Sequence, residues 1–348
     1  MIIKKKIIKN FSSPFFIAEI GINHNGKLSI AKKLIDIAKK IGAHAVKFQS
    51  LKKETLMIEK IYKDKKPDFY FDKKIKSLED VMNRISLSEE KQKLLSNYCK
   101  KKKIIFSSTP LDLDSVDFLD SLNVPFFKVA SMDLNNHVLL KKIAKKNKPI
   151  ILSTGFSSIK EIKESLKCIK KVNKKIKVSL LHCISSYPPA DKEVNLRNII
   201  TLRKKFNLPI GFSDHTKGIS ACLGAISLGA CIIEKHFTLN KEMKGWDHKI
   251  SADPSDMTSI IKQSKRINVM LGSYKRTISK KENIFKRNMR RSIVVKNFIK
   301  KNHLFKETDL DFKRPGTGIA PSDIRLILNK RAKKNLYPDE IIMRKNIK

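Results

Sequence analysis

Eight short apolar runs recur along the chain, and each ends in polar residues able to carry chemistry. They are Phe15–Gly21, Ala45–Gln49, Ile104–Thr109, Phe126–Ser131, Ile150–Gly155, Val178–Ser186, Ile210–His215 and Cys231–Thr238. Lysine-rich segments of helical length separate them. An eightfold alternation of strand and helix predicts an α/β fold, a (β/α)8 TIM barrel. In that fold the C-terminal ends of the strands converge on one site. Here those ends carry Glu19, Lys47, Gln49, Ser108, Thr109, Lys128, Ser131, Ser153, Thr154, Ser185, Ser186, Ser213, His215, Glu234 and His236. A purely structural barrel has no need of such a ring. The pattern reads as an enzyme acting on a polar, anionic substrate.

With 348 residues there is room for one barrel of about 250 residues and a small second domain. The apolar fraction of 41% suffices for a core, and no run reaches the ~20 apolar residues of a membrane helix. Met1–Phe16 has lysines and a short apolar stretch but no small-residue cleavage site. It is expected to run straight into the first strand. The five cysteines have no paired spacing, which points to a reducing, cytoplasmic setting. Cys183, Cys222 and Cys231 sit in apolar segments and read as small buried hydrophobes. The net charge of +42 invites a nucleic-acid reading. Lysine is spread over nearly every helical segment, however, and clusters such as Lys100–Lys103 and Lys141–Lys146 read as solvated faces. No nucleic-acid partner is expected. The charge is suited instead to drawing an anion toward a basic mouth.

Helices are predicted over Ile30–Ile41, with Ser29 as its N-cap, over Leu87–Lys102 and over Ile159–Val172. A longer excursion, Leu51–Leu87, follows the second strand, either as a loop covering the site or as a solvated insertion. The barrel is assigned to residues 1–275 and a polar linker to 276–288. The remaining 289–348 change texture. Ser292–Val295 is a β-run, Lys300–Leu310 a turn and short strand, and Lys313–Pro321 a glycine- and proline-rich loop. Leu336–Ile342 closes the segment. A β-rich domain of this size is marginal alone and is expected to dock on a barrel or a partner chain.

The motifs at these strand ends resemble those of the sialic acid (nonulosonate) synthases. They are Ala18-Glu-Ile-Gly-Ile-Asn-His-Asn-Gly26, Val46-Lys-Phe-Gln49, Ser108-Thr-Pro110, Phe127-Lys-Val-Ala-Ser131, Ile151-Leu-Ser-Thr-Gly155, Leu181-His-Cys183 with Tyr187-Pro188, Gly211-Phe-Ser-Asp-His-Thr216, Ile233-Glu-Lys-His-Phe-Thr238 and Lys313-Arg-Pro-Gly316. Any one alone is weak; together, in family order over almost the whole chain, they are specific. The C-terminal segment resembles the antifreeze-like (SAF) domain of these enzymes.

The resemblance implies condensation of phosphoenolpyruvate with the aldehyde of an N-acylated hexosamine such as N-acetylmannosamine. Legionaminic, pseudaminic and spore-coat polysaccharide synthases of the same family are the alternatives. It implies Glu19, Lys47, Lys128, Glu234 and Asp247 as catalytic groups. Phosphoenolpyruvate falls to Lys47, Gln49, Thr109, Lys128, Ser131, Ser153, Ser185 and Ser213, whose ammonium and hydroxyl groups suit phosphate oxygens. The sugar falls to Asp133, Tyr187, Asp247 and Arg314. Asp133 stands where relatives using N-acetylmannosamine have glutamate. An aldehyde is a poor electrophile for an enol phosphate without a Lewis acid. His215 and His236, at adjacent strand ends, suit a divalent cation: Mn²⁺ first, Mg²⁺ or Co²⁺ as alternatives. His24 and His182 are weaker candidates, and His182 reads as a core histidine. The family precedent also implies a homodimer with exchanged C-terminal domains, which carries Arg314 to the second subunit.

Overall fold

A computed structural model of the chain describes residues 1–64 and 77–348. It divides into two compact units, Met1–Gly272 and Ser273–Lys348.

The first unit opens with a small antiparallel hairpin, β1 (Ile2–Ile3) and β2 (Lys6–Ile7). The chain therefore does not run straight into the barrel. Eight parallel strands follow: β3 (Phe15–Gly21), β4 (Ala45–Ser50), β5 (Ile105–Pro110), β6 (Phe127–Val129), β7 (Ile150–Ser153), β8 (Val178–Cys183), β9 (Ile210–Asp214) and β10 (Ile232–His236). They pair in the order β5-β4-β3-β10-β9-β8-β7-β6, and β5 and β6 lie side by side to complete a nearly closed barrel. The TIM-barrel expectation holds. Each predicted run coincides with a strand, and β4 and β5 extend one residue past theirs, to Ser50 and Pro110. Several strands stop short of the predicted end because the chain leaves the ladder to present its polar residues. After β6, for example, Ser131–Asp133 is already a 3-10 turn.

Helices fill the connections. Ile159–Val172 is helical as predicted, with a reciprocal cap between Ser158 and Glu161. Glu89–Lys102 starts behind Ser88, whose side chain accepts from the Lys91 N–H. The helix predicted from Ile30 spans Leu28–Lys40 instead, and Lys27 occupies its N-cap position with no side-chain cap bond. Ser29 lies inside the first turn and is not the cap. This helix is held by its buried Ala31, Leu34, Ile35 and Ala38 rather than by capping.

Alternation along the strands sorts the barrel interior into two halves. Low in the barrel, Phe15, Ile17, Ala45, Ile151, Leu181 and Ile232 form one buried apolar cluster. Ile3 and Ile8 of the N-terminal hairpin segment join that cluster and plug its lower end. Two residues further up the same strands stand Glu19, Lys47, Ser153 and Glu234, buried but polar, with Cys183 at the same level. A second, larger cluster lies between sheet and helices.

The excursion after β4 builds structure over the mouth. Lys53–Leu56, Glu59–Asp64 and Leu78–Ile85 are helical. Leu78, Val81, Met82 and Ile85 pack with Leu51, Tyr62 and Ile22, and Leu56, Leu111 and Trp246 lie against them. The described part is thus a packed cover and not a solvated insertion. The middle of the excursion, 65–76, lies outside the described residues.

The second unit begins with a helix, Lys280–Met289, capped by Ser279. The stretch expected as linker is largely helical. None of the helix's residues is buried within the chain, so its apolar spacing gave little periodic signal. Strands β11 (Ser292–Val295) and β12 (Leu310–Lys313) pair antiparallel around a core of Ile293, Val295, Ile299, Phe305, Leu336 and Ile342. Among the described residues, no helix is long and apolar enough to cross a membrane.

Candidate active site

A cavity of about 290 Å³ opens at the C-terminal ends of the strands. Its lining includes Glu19, Lys47, Gln49, Thr109, Lys128, Ser131, Ser153, Ser185, Tyr187, Ser213, His215, Glu234, His236 and Asp247. The structure therefore gathers residues from all eight strands, chosen from sequence alone, around one space. Asp133 is not among the lining residues. It is half-buried and accepts a hydrogen bond from Asn136 (3.3 Å), while its neighbour Met132 faces the cavity. Arg314 lies exposed on a loop of the second unit, before a cis proline peptide. Ser108, Thr154 and Ser186 turn elsewhere: Ser108 bonds Ser50, Thr154 the Leu181 carbonyl, and Ser186 the Pro188 carbonyl. His182 is a core histidine on the Val194 carbonyl. His24 is tied to the Gly26 N–H.

The floor of the cavity is a network of two carboxylates and two ammonium groups. Lys47 Nζ lies 2.8 Å from Glu19 Oε2 and 4.0 Å from Glu234 Oε1, and donates to Thr109 Oγ1 at 2.9 Å. Lys128 Nζ lies 3.4 Å from Glu234 Oε1 and donates to Ser153 Oγ at 2.7 Å. Ser213 donates to Glu234 Oε1 at 3.1 Å, and Gln49 to Glu19 at 3.3 Å. All four charged residues are at most 5% exposed. Buried charges persist only when paired, and here each has an opposite partner.

The environments push the four protons apart. Burial raises Glu19 to about 7 against the pull of Lys47. Burial also acts on Glu234, but Lys128 and Lys47 outweigh it and hold its carboxyl low. Lys47 is raised, because Glu19 and Glu234 overcome its burial. Burial lowers Lys128 in spite of Glu234. Glu234 is the settled anion and Lys47 the settled cation, while Glu19 is poised near neutrality. A carboxyl so poised is suited to giving and taking a proton.

Beside this floor stand the two imidazoles, with ring centroids 5.5 Å apart. His215 Nδ1 lies 2.7 Å from the Ile184 carbonyl, to which it donates. Tyr187 packs 4.1 Å from the His215 ring. His236 is brought to about 3 by burial and then by Lys47, so it is neutral. Its Nδ1 has no hydrogen-bond partner, and Asp247 Oδ2 lies 3.4 Å away. Burial raises Asp247 to about 6. Glu234 Oε2 is likewise buried without a partner. Two imidazoles beside carboxylates are a donor set that fits a divalent cation. Among the described residues no three His, Cys, Asp or Glu side chains form a ready-made cluster.

Two features escaped the sequence reading. Cys183 faces the cavity, with Sγ 3.8 Å from His215 Nδ1. Burial disfavours its thiolate, yet the His215 ring and Lys128 draw the thiol down. An apolar wall of Ile22, Leu51, Leu56, Met57, Met82 and Ile85 also lines the space. The amphipathic spacing of Leu78, Val81, Met82 and Ile85 was the available signal. Gly155 marks a close approach. A Cβ there would stand 2.2 Å from Ser185 Oγ and 2.8 Å from Ser131 Oγ, and its N–H donates to Ser131 Oγ at 3.1 Å. Two hydroxyls drawn against a bare backbone make a cradle for an oxyanion.

A TIM barrel with a buried lysine–glutamate floor, hydroxyls along one side and an imidazole pair on the other is an anion-handling enzyme. The sequence matches the NeuB family over residues 34–276 and the SAF domain over 290–348. The chain belongs to the NeuB family and is a phosphoenolpyruvate-condensing synthase. It is 42% identical to N,N'-diacetyllegionaminic acid synthase of Campylobacter jejuni, over 94% of this chain and 98% of that protein. It is 33% identical to human N-acetylneuraminate-9-phosphate synthase, over 94% and 91%. The crystal structure of N-acetylneuraminic acid synthetase from Leptospira borgpetersenii superposes with a TM-score of 0.73 at 34% identity, covering 82% of this chain and 94% of that one.

Proposed function

We propose that the enzyme condenses phosphoenolpyruvate with an unphosphorylated, di-N-acylated amino sugar, giving a nine-carbon ulosonic acid of the legionaminic type and phosphate. The apolar wall carries this reading. Acyl methyl groups can bury against Leu56, Met57, Met82 and Ile85. A sugar phosphate would instead demand a cation. Among the described residues Lys47 and Lys128 are the only lysines or arginines lining the cavity, and both are engaged by Glu19 and Glu234. The higher identity to the Campylobacter enzyme points the same way.

The floor and cradle bind phosphoenolpyruvate. Lys128, Ser153, Ser131 and Ser185 take the phosphate, and Lys47, Thr109 and Gln49 take the carboxylate end. The enol C3 attacks the sugar aldehyde, water adds at C2, and phosphate departs with cleavage of the C2–O bond. Glu19, titrating near 7, exchanges the proton of the water that adds at C2. Glu234 is the anionic partner of both lysines. Asp247 and Tyr187 hold the sugar's hydroxyls near the imidazoles. His215 and His236 would hold a divalent cation, Mn²⁺ by preference over Mg²⁺ or Co²⁺, which when bound supplies Lewis-acid polarisation of the aldehyde oxygen.

A homodimer belongs to the proposal. Ile284, Phe285 and Met289 on the helix that opens the second unit are exposed in the single chain, and a second copy would cover them. A cytoplasmic setting accords with five free, buried cysteines. Phosphate release measured over a panel of aldoses tests the substrate. The di-N-acylated sugar should give the highest kcat/KM, N-acetylmannosamine less, and its 6-phosphate least. Preference for the phosphate ester would overturn the reading. Chelation should abolish turnover, and Mn²⁺ should restore it; full activity in excess EDTA would remove the cation from the mechanism.

A further inference from the structure

Strands of a parallel barrel are buried on both faces, and the face turned to the helices is normally apolar. β9 and β10 break that rule at one point. Ser213 and Glu234 are register neighbours on the inner face; Asp214 and Lys235, the next pair, turn outward. There Lys235 Nζ meets Asp214 Oδ2 at 2.6 Å, with both side chains at most 1% exposed. Lys235 also donates to the Thr216 carbonyl at 2.7 Å. Asp214 Oδ1 accepts from the Thr216 N–H at 2.8 Å, and Cys222 Sγ from the helix Ser220–Ser227 reaches Asp214 Oδ2 at 3.1 Å. Thr216 is thus tied through both its N–H and its C=O.

What this knot encloses is informative. Asp214 and Thr216 flank His215, and Lys235 immediately precedes His236. One ion pair outside the barrel therefore joins the two strand ends that carry the imidazoles inside it. A fully buried ion pair adds little stability over well-packed apolar residues, since desolvation cancels most of its attraction. Its directional bonds fix geometry instead.

We infer that Asp214 and Lys235 are positioning residues that set the relative placement of His215 and His236, and so the affinity of the site for a divalent cation. The cation part rests on the function proposed above; the placement of His215 does not. With Thr216 tied on both sides, the His215 backbone is fixed and its Nδ1 is held to the Ile184 carbonyl. Release of the knot frees the turn and lets the ring exchange tautomers. Partners that orient a ligating histidine typically govern ten- to a hundredfold of affinity.

The test uses the full chain, as wild type and as the neutral pair Asp214→Asn/Lys235→Met, which leaves no unpaired buried charge. Asp214→Asn alone serves as a second variant should the pair fold poorly. Circular dichroism melts establish that each is folded. Nitrogen-15 NMR of the metal-free protein reads the His215 tautomer. The wild type should show only the Nδ1–H form, and the folded variant a mixture. Manganese binding, followed by electron paramagnetic resonance of free Mn²⁺, should weaken at least about tenfold in the variant. KM for phosphoenolpyruvate should move less than about threefold. A folded variant that keeps a single His215 tautomer overturns the inference, whatever the cation does. Wild type that shows the tautomer difference yet binds no Mn²⁺ sinks the cation reading alone. If the tautomers differ but Mn²⁺ affinity is unchanged, the pair places His215 without governing the cation, and that half of the inference fails.

Discussion

The lower and upper halves of the barrel interior are built from the same strands, two residues apart, and spend their burial in opposite ways. Below, Phe15, Ile17, Ile151, Leu181 and Ile232 remove apolar surface from water and pack with the hairpin plug. Above, Glu19, Lys47, Lys128 and Glu234 are buried at a desolvation cost that their mutual attraction only offsets. The lower half holds the barrel together. The upper half is tolerated because the lower one is secure, and its charges are placed for substrate rather than for stability.

Exchange of charges in the upper half should give the largest effect. The variant Lys128→Met/Glu234→Gln removes one ammonium and one carboxylate together. Turnover should fall at least about 10³-fold, at the upper end of what one preorganised electrostatic group supplies. Its midpoint of unfolding should stay level or rise, as when buried ion pairs give way to neutral side chains. A large loss of stability in that variant would break the comparison. Phe15→Ala is the mirror experiment. It should cost about 3–5 kcal/mol in denaturant unfolding while kcat per folded molecule stays within about twofold.

Gly155→Ala comes next in size. A methyl placed 2.2 Å from Ser185 Oγ must displace that hydroxyl. KM for phosphoenolpyruvate should rise about tenfold, roughly 1.4 kcal/mol, with little change in unfolding. The smallest expected effect is on pH. The Glu19 carboxyl is raised from 4.5 to about 7 by burial, so the folded state holds its proton more tightly than the unfolded chain does. Its contribution to stability is complete below about pH 4.5 and is lost as pH rises toward 7. Subtraction of the Glu19→Gln stability profile from that of wild type should leave a downward slope across that window. A flat difference would place the carboxyl in a far more solvated setting.

Sequence reached the site further than it reached the surroundings. Short, nearly continuous apolar runs at helix-length spacing locate the strands, and a polar residue at the end of such a run marks the mouth. Fourteen of the sixteen site residues drawn from those run ends and from the family resemblance line the cavity. Asp133, assigned by resemblance, does not line the cavity: the chain leaves the ladder after Val129, and the 3-10 turn that follows presents Met132 instead. The apolar wall was hidden because its residues come from two short helices and the loop positions Ile22, Leu51 and Met57, which no single period joins. The helix at 280–289 was hidden for the opposite reason, since none of its residues is buried within the chain and charged residues dominate it. Asp214 and Lys235 were quoted inside motifs but read past. Only the fold shows that they face each other outside the barrel.

Closure of the barrel joins β3 to β10, with Phe15 beside Ile232 and Glu19 beside His236. During synthesis that seam has a cost in time. The first barrel strand leaves the ribosome about two hundred residues before its last neighbour. At ~5–20 residues per second it waits roughly 10–40 s with one edge unpaired. The waiting segment, Phe-Phe-Ile-Ala from Phe15 onward, is apolar and ready to pair with any passing strand. Pairing with β4 covers only the other edge of this strand, so the edge that will meet β10 stays open until the ring shuts.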